Sequence, residues 1–262
     1  LVSVDVEVKA LEHSLHSGLW GGPIPDPAMA LTKMLSSLVN EEGHLALPEM
    51  LKDIKPVTKE EEAAFQKLPF SEKDFREQSS LLEGVPFRPG FDGKCSAYRQ
   101  MWREPSVSIN ALEVSSRKQA GNIIPASAWA RIGIRIVPNQ NPEIILRQLS
   151  DHLKKVTPWG LKVTVESEAA GKSWGTDSSG PAFTAAKEAL ELGYGVKPVM
   201  MGCGASIPFV EPLSEALGGV PALLMGVEDP YTNAHSENES LDLGDWRKAI
   251  VSAIHFYSIY GK

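Results

Sequence analysis

The sequence predicts an α+β domain followed by a segment of α/β character, and three observations carry that prediction. Apolar and polar residues alternate strictly at Val2, Val4, Val6, Val8 and Ala10, and again at Ala128, Ala130, Ile132, Ile134 and Ile136, as in strands with one buried face. Leucines and isoleucines recur at helical spacing behind capping residues between those strands. Beyond Gly171 the pattern changes to helices alternating with short apolar runs.

Taken in order, the first strand leads through a Gly- and Pro-rich loop to Asp26, which caps a helix with Pro27 at its first position and Leu31, Leu35 and Leu38 on one face, running to about Val39. From about residue 40 to 104 the sequence reads as an insertion of short polar helices, with Thr58 and Glu61 spaced as a capping box and Ser71 opening another turn. Val107, Ile109 and Ala111 form a second strand, residues 128–136 a third, Pro142 onward a helix with Ile145, Leu146, Leu149 and Leu153 together, and Leu161, Val163 and Val165 a fourth strand. The order β-α-β-β-α-β is the ferredoxin-like split unit, a four-stranded antiparallel sheet with both helices on one face.

After Gly171 we expect a helix over Ser179–Leu192, a short strand at Val196–Met200, a Gly-rich turn, a helix from Ser206, a buried strand at Pro221–Gly226 and a last helix over Leu243–Tyr257. Two or three strands with three helices make an incomplete α/β domain, because a parallel sheet needs cover on both faces. The chain also opens inside a strand pattern, without an initiator Met or a signal peptide, so a preceding segment is expected.

Composition narrows the function. The chain has 262 residues, 42% apolar and 23% charged, which is the balance of a folded protein. A formal charge of −7 with both signs interspersed offers no basic stripe for a nucleic acid, and the longest apolar runs fall far short of the roughly 20 residues that span a bilayer. Cys95 and Cys203 are the only cysteines and lack ligand-like spacing, so neither a disulfide framework nor a structural zinc site is indicated, and a reducing cytoplasm fits.

Four stretches can carry chemistry. His235, in Thr232-Asn233-Ala234-His235-Ser236-Glu237-Asn238-Glu239, sits where open α/β folds place ligand sites; it is either a zinc ligand with Glu237 or Glu239 behind it, or a polar loop residue. His16 precedes Ser17-Gly18-Leu19-Trp20-Gly21-Gly22, whose glycines permit close approach of another chain or simply form a turn. Gly202-Cys203-Gly204-Ala205-Ser206-Ile207-Pro208 is a turn whose N–H groups and hydroxyl suit a carboxylate, or a helix capped by Ser206; it lacks the G-x-S-x-G form of a nucleophile elbow. Trp129, Arg131 and Arg135 share the sheet face that no helix covers, and an arginine there either binds a substrate carboxylate or solubilises the face, with Arg135 nearer the strand end.

Five ordered segments tie these stretches together: His16, Asn122-Ile123-Ile124-Pro125, Arg135-Ile136-Val137-Pro138-Asn139, Gly204-Ala205-Ser206-Ile207-Pro208 and Ala234-His235-Ser236-Glu237-Asn238-Glu239. In order and spacing they resemble the dinuclear zinc amidohydrolases of the carnosine dipeptidase, aminoacylase and succinyl-diaminopimelate desuccinylase family, and most of all its cytosolic non-specific dipeptidases. The resemblance implies a lid and dimerisation domain at about 1–170, with the insertion at 40–104, and the C-terminal portion of a catalytic domain at 171–262.

It also implies roles. His235 would be the last ligand of a two-zinc site, with manganese or cobalt as substitutes. The other ligands and a general-base Glu, which deprotonates a metal-bridging water for attack on the amide, would come from an N-terminal segment, since no H-x-D-x-x-P motif occurs here. His16 would stabilise the tetrahedral oxyanion of the partner's site in a homodimer, Asn122 would bind substrate from the lid, Arg135 would grip its free carboxylate, and Gly204 with Ser206 would contact that carboxylate. Gly202 and Cys203 depart from the acidic and basic residues expected before that glycine in carnosine-type enzymes. The full-length protein is then expected to hydrolyse dipeptides or N-acyl amino acids, and this chain alone to be inactive with little or no metal. The alternative is a non-catalytic dimerisation or binding module.

Overall fold

A computed structural model describes residues 1–118, 120–176, 178–203, 207 and 209–261, apart from the side chains of residues 94, 95 and 169. In chain order the elements are β1 (Val2–Lys9), β2 (Leu15–His16), α1 (Ser17–Trp20), α2 (Pro27–Ser36), α3 (Pro48–Leu51), α4 (Lys59–Lys67), α5 (Glu72–Gln78), α6 (Lys94–Trp102), β3 (Ser106–Glu113), β4 (Ile123–Ile124), β5 (Ser127–Arg135), α7 (Pro142–Val156), β6 (Lys162–Ala170), α8 (Pro181–Tyr194), α9 (Val210–Ala216) and α10 (Leu243–Tyr260). They fall into two units, one of Leu1–Glu61 and Phe87–Ser173, the other of Glu62–Pro86, Trp174–Cys203 and Ile207–Lys262.

The first unit is built on a four-stranded antiparallel sheet of order β3-β5-β1-β6, the ferredoxin-like arrangement that the element order predicts. The alternation in β1 has its expected consequence: Val2, Val4, Val6 and Val8 are buried on one face, facing the same way as Ala128, Ala130, Ile132 and Ile134 of β5. Helices α2 and α7 cover that face with Ala30, Leu31 and Met34 and with Ile145, Leu149 and Leu153. Each starts where its cap requires. The Asp26 carboxylate accepts the Ala28 N–H at 2.8 Å, and the Asn141 amide oxygen accepts from Glu143 and Ile144 at 2.9 and 3.2 Å, with proline at the first helical position in both.

Two of the short helices between residues 40 and 104, α4 and α5, also form where their caps predict. Thr58 and Glu61 close a capping box, with N–H to side-chain distances of 2.9 and 3.2 Å, and Ser71 caps α5 through the Asp74 N–H at 3.2 Å. Leu45, Leu47 and Met50 reach into the core of the first unit, and the buried Gln140 amide links this stretch to the end of β5 by donating to the Met50 carbonyl at 2.6 Å and accepting the Val137 N–H at 2.9 Å.

In the second unit α8 and α10 pack together. Ala182, Ala185, Ala186 and Ala189 line the buried side of α8, so the helices approach closely, and Ser252 of α10 is buried with its hydroxyl turned back onto the Lys248 carbonyl at 2.9 Å. The outer side of α10 carries Leu243, Trp246, Ile250, Ile254 and Tyr257 at i, i+3, i+7, i+11 and i+14, an apolar stripe that is 45–74% exposed.

Here the structure corrects two expectations. Neither Val196–Met200 nor Pro221–Gly226 forms a strand, and Val196, Val199, Leu224 and Met225 are exposed. A strand exists only through ladder partners, and among the described residues of this unit none is available. The second helix of the alternation begins at Val210, while the expected Ser206 cap lies outside the described residues.

Candidate active site

His16 is positioned by a pairing that periodicity does not reveal. The two-residue strands β2 and β4 pair antiparallel, with Leu15 opposite Ile124 and His16 opposite Ile123, and the Ser17 N–H donates to the Asn122 carbonyl at 2.8 Å. The same end of the sheet is closed by the Ala10 and Leu11 N–H groups on the Ala126 carbonyl at 3.1 and 3.2 Å. His16 and Asn122, far apart in sequence, therefore stand side by side and exposed. The first turn of α1 returns to the imidazole: the Gly18 N–H donates to His16 Nδ1 at 3.1 Å.

Arg135 lies at the opposite end of β5 and is exposed. Eight steps from Ser127 to Arg135 at about 3.3 Å each span roughly 26 Å, so one protomer does not bring Arg135 and the His16–Asn122 pair to the same small substrate. Arg131, on the same face, is already engaged. Its guanidinium grips the Asp5 carboxylate at 2.7 and 2.8 Å, lies 3.4 Å from Glu168 and packs over Trp129 at 5.8 Å. That hydrogen-bonded pairing holds the Asp5 carboxyl below the ordinary carboxylate range. The solubilising reading of Arg131 fits these contacts better than a free carboxylate receptor.

In the second unit, the loop bearing His235 is tightly folded. The Asp229 carboxylate accepts the Tyr231 N–H at 2.7 Å, the buried Thr232 donates its hydroxyl to the Asp229 carbonyl at 2.8 Å, and the Ser240 N–H closes the loop on the Thr232 carbonyl at 2.8 Å. Asn233, His235 and Asn238 all have left-handed backbone, with φ of 59°, 61° and 59°. Asparagine adopts that region at small cost and histidine less readily, so the loop holds His235 in a backbone state that needs support from its surroundings. The side chain is exposed. Glu237 and Glu239 do not support it as expected: among the described residues neither carboxylate bonds His235, and Glu237 instead accepts the Asn233 amide on its carbonyl at 2.5 Å.

Among the described residues no three His, Cys, Asp or Glu side chains come together as a metal site, so the donors present do not by themselves fit a metal ion, which needs about four. Gly204 and Ser206 lie outside the described residues. No helix among the described residues is long and apolar enough to cross a membrane.

Sequence reasoning singled out His16 and His235 but missed what holds them. The Gly18 bond to His16 was signalled by the histidine-glycine spacing, and the loop geometry by asparagines two residues before and three after His235, a residue type that tolerates positive φ.

The chain is 26% identical over 257 residues to the cysteinylglycine-S-conjugate dipeptidase of Corynebacterium striatum, covering 98% of this chain and 54% of that protein. It is 31% identical over 252 residues to the Cys-Gly metallodipeptidase of Saccharomyces cerevisiae, covering 93% and 51%. The crystal structure of human carnosine dipeptidase 1 superposes with a TM-score of 0.85 at 25% identity, over all of this chain and 55% of that one. The chain thus spans about half the length of the curated relatives it matches. The model of the peptidase dimerisation domain matches residues 2–161, from β1 to the threshold of β6. This chain belongs to the M20 metallopeptidase family that carries the peptidase dimerisation domain.

Proposed function

We propose that this chain is part of a longer zinc-dependent amidohydrolase that cleaves dipeptides or N-acyl amino acids, acts in the cytoplasm and works as a homodimer. Residues 1–170 serve as lid and dimerisation domain, and residues 171–262 as the C-terminal portion of the catalytic domain. The relatives bear the names of dipeptidases, which supports the substrate class. The observation that carries the reading is the β2–β4 pairing, which sets His16 and Asn122 together at one end of the lid sheet and leaves Arg135 at the other.

That separation has a chemical consequence. An extended dipeptide measures roughly 7 Å, so groups about 26 Å apart in one protomer act on one substrate only if they come from two protomers. In this reading Arg135 orients the substrate's free carboxylate in its own protomer's site, with Gly204 and Ser206 as further contacts. His16 and Asn122 reach into the partner's site, where the imidazole N–H stabilises the oxyanion. His235 supplies one donor to a site for two zinc ions, with manganese or cobalt as substitutes, and the remaining donors come from outside this chain.

The test has two arms. The purified chain alone should hydrolyse no dipeptide and should bind zinc no more tightly after purification than its His235→Ala variant. The full-length protein should hydrolyse dipeptides and hold metal stoichiometrically. Tight stoichiometric zinc in the chain alone would mean that it carries a complete donor set, and a full-length protein without hydrolytic activity would overturn the enzyme reading in favour of a binding module.

For the dimer, the physical preference is the β3 edge. β6, at the other edge, presents Lys162, Glu166 and Glu168, whereas β3 is nearly neutral and leaves Ile109 and Leu112 43% and 58% exposed. The irregularity between Ile109 and Ala111 limits strand pairing to two short runs, so the apolar side chains have to supply much of the affinity. An Ile109→Lys variant is expected to run as a monomer by light scattering at concentrations where the parent chain is a dimer. A variant that stays dimeric would move the interface elsewhere.

A further inference from the structure

The imidazole of His16 is held by its own turn. The Gly18 N–H donates to Nδ1 at 3.1 Å, which requires an unprotonated Nδ1, so the proton of the neutral ring resides on Nε2. With Nδ1 turned back onto α1 and the residue exposed, Nε2–H faces outward. We propose that Gly18 is a positioning residue: its backbone N–H fixes His16 as the Nε2–H tautomer and aims that N–H outward as a donor to a substrate oxygen. The inference rests on the reading of His16 as a donor to the partner's oxyanion.

Space at position 18 explains why the residue is glycine. A Cβ there would stand 2.9 Å from His16 Cε1 and 3.2 Å from Nδ1, so any other side chain displaces the ring from the N–H that orients it. The turn that returns this N–H depends on a second glycine. The Gly21 N–H donates to the Ser17 carbonyl at 2.7 Å, and a Cβ at position 21 would lie 2.4 Å from that same carbonyl oxygen. The two glycines therefore act in sequence, Gly21 closing the turn and Gly18 holding the ring. An imidazole left to rotate and exchange tautomers would present Nε2–H only part of the time, and a donor misplaced by about 1 Å is costly in catalysis.

The experiment is a long-range proton–nitrogen correlation spectrum of the chain with ¹⁵N-labelled histidine, recorded about two units above the ordinary imidazole value of about 6.5, where an ordinary imidazole is neutral. His16, assigned by its loss in His16→Gln, should show one tautomer with an acceptor-type Nδ1, while Gly18→Ala and Gly21→Ala should give an averaged pattern. An averaged or Nδ1–H pattern in the parent chain overturns the proposal without any variant having to fold, and so does a Gly18→Ala spectrum identical to the parent's. In the full-length enzyme Gly18→Ala should lower kcat by roughly 10- to 100-fold with KM nearly unchanged, because the donor acts on the transition state. A fixed tautomer together with a fully active His16→Ala enzyme would support the positioning and remove the oxyanion reading, so the two failures are distinguishable.

Discussion

Gly193→Ala is expected to lower the melting temperature of the chain by roughly 4–8 °C, although alanine is the better helix former. In a free helix the exchange would stabilise by about 1 kcal/mol. Position 193 is not free. It faces α10 where the helices are closest, and a Cβ there would stand 2.0 Å from Ser252 Oγ, 2.8 Å from the Lys248 carbonyl oxygen and 2.9 Å from the Ser252 nitrogen. A hydroxyl can rotate away, but two backbone atoms of α10 cannot, so the helices must separate. That separation opens the contacts of Ala186 and Ala189 and costs about 3 kcal/mol, at the upper end for overpacking. The net loss of about 2 kcal/mol sets the temperature shift for a domain of this size. Ser252→Ala in the same chain should recover little of it, since it relieves only the contact with Oγ. A Gly193→Ala chain that melts at or above the parent's temperature would mean that the helices do not meet at this glycine.

The parts of the fold that were legible share one property: each is decided by residues close in sequence. The alternation in β1 and β5, the caps at Asp26 and Asn141 and the Thr58–Glu61 box act over a few residues, and each produces the expected element. The failures arise where a partner decides. Pro221–Gly226 has the composition of a buried strand, but composition does not supply a ladder, and Leu224 and Met225 remain exposed. The pairing of β2 with β4 fails in the opposite direction: two-residue strands leave no periodicity to detect, yet they bring His16 to Asn122. At the candidate site the residue types were visible and their support was not. A carboxylate behind His235 was the chemical expectation, whereas the loop is organised by Asp229, Thr232 and the asparagines through backbone groups, which any sequence possesses and none advertises.

If His16 serves the partner's site, two inactive full-length variants should restore activity to each other. His16→Ala removes the donor to the oxyanion and is expected to lower kcat by about 10²- to 10³-fold. On the proposed reading of His235 as a metal donor, His235→Ala is expected to abolish hydrolysis in its own protomer. Neither homodimer then contains a working site. In a mixed dimer, the protomer that keeps His235 faces the protomer that keeps His16, so one of the two sites is complete, and random reassortment of equal amounts should return about a quarter of the parent activity. The prediction depends on the geometry of the first unit: His16 and Asn122 sit at one end of a nine-residue β5 and Arg135 at the other, so a substrate held by Arg135 would need a second chain for an oxyanion donor at His16. Were His16 to act within its own protomer, each mixed dimer would hold one site lacking His16 and one lacking His235, and mixing would restore nothing. Activity that stays at the level of the separate variants, with mixed dimers verified by differential tags, would sink the shared-site reading while leaving the ferredoxin-like fold of residues 2–170 untouched.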